Sequence, residues 1–160
     1  MKKASTLFLK VVVCLLAIGA LAIMVFFPQT EGRAANLDLI NIYTDPFIIY
    51  MYITTIPFFS ALYQAFKLLS LIDKNKIFSP AAVRAVRNIK YAAVAVVALI
   101  GLSETYLFLV QRSQSDDIAG GVMTGFFIIF ISLVISTTAA ILQKLLQNVV
   151  DMKSENDLTI

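Results

Sequence analysis

IDKNKIFSPAAVRAVRNIK, residues 72–90, holds five of the chain's 13 lysines and arginines and separates two long apolar blocks. Pro46–Phe66 precedes it and Tyr91–Val110 follows it. Each is about 20 residues long, enough to cross a hydrocarbon core of about 30 Å. Two blocks of similar length, Phe8–Phe27 and Val122–Leu142, lie outward of these. Across all 160 residues, 59% are hydrophobic and 14% charged, and mean hydropathy is +0.85. A soluble domain usually carries about a quarter charged residues. The chain therefore reads as one all-α membrane domain over residues 1–160, a four-helix bundle solvated by lipid.

The basic residues orient it. Lys2, Lys3 and Lys10 lie at the N-terminal end, and Lys144 and Lys153 follow the last block. Lys67 joins Lys74, Lys76, Arg84, Arg87 and Lys90 in the middle connection. Only Arg33 and Arg112 fall in the other two connections, beside Glu31, Asp38, Asp45, Asp116 and Asp117. Placing 11 of the 13 on one side gives N-in, C-in topology in a bacterial cytoplasmic membrane, with residues 67–90 a cytoplasmic helical hairpin. The net charge of +3 is accounted for as an orientation signal, and no direct contact with nucleic acid is expected.

Lys2 and Lys3 also fit the start of a signal peptide. However, the apolar run continues past Ala20-Leu21-Ala22 into Ile23–Phe27, so an uncleaved first span is expected. Cys14, the single cysteine, excludes a disulfide within the chain and a CxxC redox pair. It reads as a small apolar residue, buried or facing lipid.

Helix ends are written locally. Thr44-Asp45-Pro46 combines a capping oxygen with proline at the first helical position, and Ser79-Pro80 repeats the device. The second helix runs past the membrane through Tyr63, Phe66, Leu68, Leu69 and Ile72 to the polar turn at Asp73–Lys76. Pro57 removes a backbone donor in mid-span and predicts a bend. The third helix should run over residues 80–111, about 48 Å at 1.5 Å per residue, and so project beyond the bilayer. An apolar stripe from Ile141 through Leu145, Leu146, Val149 and Val150 extends the fourth helix too. Residues 152–160 are expected to be a disordered tail.

Gly121, Gly125, Ser132 and Ser136, with Ala140, place small residues near one side of the fourth helix. They predict close helix packing within the chain.

Glu104 is an acid inside the third span. It shares a helix face with Gly101 and Phe108, beside which a neighbouring backbone can approach, and Arg112 lies two turns on. Three readings stand at this point. Glu104 fixes helix packing through a hydrogen bond or an Arg112 ion pair, it forms a protonatable or cation-binding site, or it is wetted near the outer rim. With no histidine and no second intramembrane acid, no metal site, cofactor or catalytic group is expected. An enzyme is not expected.

The run from Leu68 to Ser79, followed by Val83-Arg84-Ala85-Val86-Arg87-Asn88-Ile89, resembles the central signature of the DUF2975 family. These are small bacterial four-span membrane proteins of unknown biochemical function. Members are often encoded beside a small helix-turn-helix transcription regulator, and the resemblance implies such a regulator as a partner. The expectation is a non-enzymatic regulatory or accessory protein. Lys74, Lys76, Arg84, Arg87 and Lys90 would contact the partner or anionic lipid. The alternative is a small ion-coupled transporter using Glu104.

Overall fold

A computed structural model describes residues 3–30, 38–111 and 118–158. Its elements are α1 (Lys3–Thr30), a short α2 (Leu39–Tyr43), α3 (Pro46–Asp73), α4 (Pro80–Tyr106) and α5 (Ile118–Leu158). A π-helical turn, Leu107–Gln111, prolongs α4. The described residues include four helices long and apolar enough to cross a membrane.

The boundaries follow from local chemistry. Asp45 caps α3 by accepting the Phe47 backbone N–H at 2.8 Å, with Pro46 at the first helical position. At its other end α3 stops because Asn75 takes a left-handed conformation, φ 53°. The Lys76 N–H then reaches back to the Leu71 carbonyl at 2.8 Å and the Asn75 N–H to Ile72 at 3.0 Å, the Schellman arrangement. Ser79 opens α4 by accepting the Ala82 N–H at 3.4 Å, while its own hydroxyl donates to the Lys76 carbonyl at 2.7 Å. The turn between α3 and α4 is thus bonded at both ends.

The four long helices pack in an open row, α1 on α3, α3 on α4 and α4 on α5. Helices α1 and α5 each have one long-helix neighbour and form no packed interface with each other. Two properties of the chain account for this. Lipid supplies no hydrophobic force to close a ring, so helices associate only where they fit. The buried residues of α5 form a single seam, Gly125, Ser132, Ala139 and Leu146, sufficient for one partner. These four are spaced by seven, the repeat of a left-handed crossing.

A buried proline in α1, Pro28, is accommodated by tyrosine. Pro28 has no N–H to give the Met24 carbonyl one turn earlier. The Tyr52 hydroxyl, from α3, donates to that carbonyl at 2.9 Å. Tyr43, from α2, donates to the adjacent Val25 carbonyl at 2.9 Å. These bonds tie α1 to its neighbours where its own ladder is broken. Cys14, on the same helix, is exposed.

At the opposite end, Lys10 of α1 forms an ion pair with Asp73, the last residue of α3. It also lies 5.6 Å from the Phe66 ring centre. The sequence reading treated Lys10 only as an orientation charge.

Beyond Met152 the structure departs from the expected disordered tail, because α5 continues to Leu158. No glycine or proline follows Gly125, and Gln147 bonds Asp151 one turn on at 2.8 Å, so nothing terminates the helix. At 41 residues, α5 is about 62 Å long, twice the hydrocarbon thickness.

Candidate functional site

Two regions concentrate features that packing alone does not require. The first is the basic end of the row. Ala82, Val83 and Val86 of α4 and Ala139 and Leu146 of α5 form a buried core, joined by Leu68 and Leu71 of α3, Ile77, Ile89 and Val150. Val86 is only 1% exposed. The best-packed part of the chain is therefore this head, built where the helices extend past their most apolar segments. Its outer surface is basic. Arg84, Arg87, Asn88 and Tyr91 lie at i, i+3, i+4 and i+7 on α4 and are all exposed. Lys74 and Lys76 are exposed in the turn, near Phe78 in sequence, whose ring is 53% exposed. Lys90 is the exception among the expected contact residues. Its ammonium donates to Gln143 of α5 at 3.0 Å and lies 4.6 Å from the Tyr91 ring centre, so it is held within the protein.

The second region surrounds Glu104. Its carboxylate crosses from α4 to α5, where Oε1 occupies the space a Cβ on Gly125 would need. The sequence predicts a neighbouring backbone close beside Glu104, and the backbone that lies there is that of Gly125 on the facing helix, whereas a Cβ on Gly101 would meet nothing within 4 Å. Gly121, expected in the same packing face, is exposed and also has open space where a Cβ would stand. Four-residue steps place Gly121 beside Gly125, but the seven-residue seam passes it by. Ser132 is buried on that seam and Ser136 is half-buried beside it.

Glu104 Oε2 is buried and has no hydrogen-bond partner among the described residues. Nearby hydroxyls cannot serve it well. Thr54 donates to the Met51 carbonyl at 2.7 Å, Thr105 to Gly101 at 2.8 Å and Thr124 to Gly120 at 2.9 Å. Arg112, the expected ion-pair partner, lies outside the described residues. Among the described residues, the carboxylate meets the facing helix through a steric fit against Gly125.

A cleft of about 390 Å³ opens beside the carboxylate. Phe27 from α1, Phe47 and Tyr50 from α3, and Thr124 and Ile128 from α5 contribute to its wall. Tyr50 is held in place by donating to the Leu99 carbonyl of α4 at 2.5 Å. A second cavity of about 440 Å³, almost wholly apolar, shares Met51, Thr54, Ile100 and Ile128 with the first. The π-helical turn begins three residues after Glu104. Such turns are often found at functional sites in α-helices.

Comparison with known proteins now places the chain. Residues 29–160 match the family described as Protein of unknown function (DUF2975). The chain belongs to the DUF2975 family. A curated relative of this DUF2975 protein, the "Uncharacterized membrane protein YoaS" of Bacillus subtilis (strain 168), is 46% identical over 162 residues, covering 100% of both chains. No solved structure matches it. The family match begins near the end of α1 and includes the head and every named residue of the Glu104 cleft except Phe27.

Proposed function

We propose that this membrane protein is a non-enzymatic regulatory or accessory protein whose basic head docks a cytoplasmic partner. The observation that carries this reading is the rigidity of the head. A capped and Schellman-closed turn is fixed on a buried core, and Arg84, Arg87, Lys74 and Lys76 project from it. Basic residues needed for topology alone could lie on an unstructured loop. Preorganisation lowers the ordering cost of binding, so a preformed basic stripe favours a specific partner. The same stripe suits anionic headgroups at the inner membrane face. The charge asymmetry supports N-in, C-in placement in the cytoplasmic membrane, with the head inside. The partner implied by the family resemblance is a small helix-turn-helix transcription regulator.

The test is a charge-reversed pair, Arg84→Glu with Arg87→Glu. Both side chains are exposed, so thermal melting in mild detergent should stay close to wild type. Co-purification of the co-expressed regulator should fall at least about tenfold, since charge reversal at an interface costs several kcal/mol. Equal recovery with wild type and the pair would refute docking through this face.

A second reading, a small ion-coupled transporter using Glu104, is favoured by one observation, the unpartnered Oε2 beside a cleft. It differs in its readout. Glu104→Gln would abolish transport there and leave docking by the head intact.

A further inference from the structure

We infer that the Glu104 cleft binds a hydrophobic organic monocation, a substituted ammonium or phosphonium, with the carboxylate as its counter-charge. Three observations call for a positive charge. Glu104 Oε2 is buried and lacks a hydrogen-bond partner among the described residues, and a buried carboxylate needs a proton or a positive charge beside it. The hydroxyls of Thr54 and Thr124, both on the cleft wall, give their protons to helix carbonyls and offer only lone pairs. These two hydroxyls therefore present acceptors to the cleft. No lysine or arginine is among the described residues lining it.

Size and lining decide which cation. A volume of about 390 Å³ falls within the range of small-molecule sites and far exceeds a bare metal ion. A metal would need several oxygen ligands, yet no group of three histidine, cysteine, aspartate or glutamate residues exists among the described residues. Phe27, Phe47 and Tyr50 contribute aromatic surface instead, which attracts an organic cation while burying its apolar substituents. The adjoining cavity of about 440 Å³ gives those substituents apolar room to extend. A neutral lipid chain would fill the same space but leave Oε2 without a partner. Binding requires neither translocation nor the basic head; it uses the same carboxylate as the transporter reading, and a cation bound without uptake would separate the two.

The probe is tetraphenylphosphonium, added to the full-length protein in dodecyl maltoside, a detergent without ammonium groups. Equilibrium dialysis should show one saturable site. Glu104→Gln, which removes the charge and preserves the side chain's shape, should weaken it at least about tenfold. A measurement on wild type alone guards against misfolding of the variant. Dicyclohexylcarbodiimide should add to the Glu104 carboxyl, read by peptide mass, and saturating tetraphenylphosphonium should slow that addition severalfold. Unchanged affinity in a folded Glu104→Gln protein, or labelling that the cation does not slow, would overturn the inference.

Discussion

Ala85→Pro is expected to break the basic head and leave the four helices inserted. Ala85 lies six residues into α4 and is 1% exposed. Proline there removes the N–H that bonds the Ala81 carbonyl, and its ring meets the preceding turn. The backbone cost alone is about 3 kcal/mol. The substitution also adds volume at a buried position, so the total should be at the high end for a single change. The apolar run from Tyr91 onward is untouched, and insertion depends on that run. Limited proteolysis should show new cleavage within 67–90, while the protein still fractionates with membranes. An unchanged protease map would mean that α4 does not begin at Pro80.

Gly125→Leu should have the next largest effect, and its size should depend on what stands at position 104. The three atoms from other parts of the fold that lie nearest a Cβ at Gly125 all belong to the Glu104 side chain. Alanine could be accommodated by swinging the flexible carboxylate into the cleft, so Gly125→Ala should be mild. A leucine requires the whole space between α4 and α5. Overpacking of this kind costs about 1–3 kcal/mol. In a Glu104→Ala background the leucine occupies the vacated volume, and most of the loss should be recovered. That is coupling between contacting residues, read from detergent melting of the two single variants and the double one. Additive losses would show that Glu104 does not lie on Gly125. Gly121→Leu serves as the contrast, because open space surrounds that position and stability should barely change.

These two sites also show what could be read from the chain and what could not. The start of α4 was legible because Ser79 and Pro80 act within one turn, and the same holds for Asp45 and Pro46. Span number was legible because hydrocarbon thickness sets helix length whatever the neighbours do. Glu104 stood out because an acid among apolar residues is costly, and Gly125 because small residues permit close approach. Their meeting was not legible. It depends on the rotation of α5 against α4, which the seven-residue seam fixes and four-residue steps do not. The same dependence on neighbours hid the Lys10–Asp73 pair, the capture of Lys90 by Gln143 and the row-like packing. Tyr52 is intermediate. A proline in a spanning helix announces an unpaired carbonyl at Met24, but only the tertiary fold supplies the hydroxyl that meets it.

The central claim is that the well-packed basic head stands on the cytoplasmic side of a four-span protein. It is tested most directly by membrane-impermeant thiol labelling in intact cells. With Cys14→Ala as background, no native thiol remains. Asn75→Cys places a thiol at the exposed turn of the head, and Asn36→Cys places one in the sequence between the first and second spans. The prediction is that Asn36→Cys labels in intact cells, whereas Asn75→Cys labels only after the membrane is opened. Labelling of Asn75→Cys in intact cells would put the head outside and contradict the account.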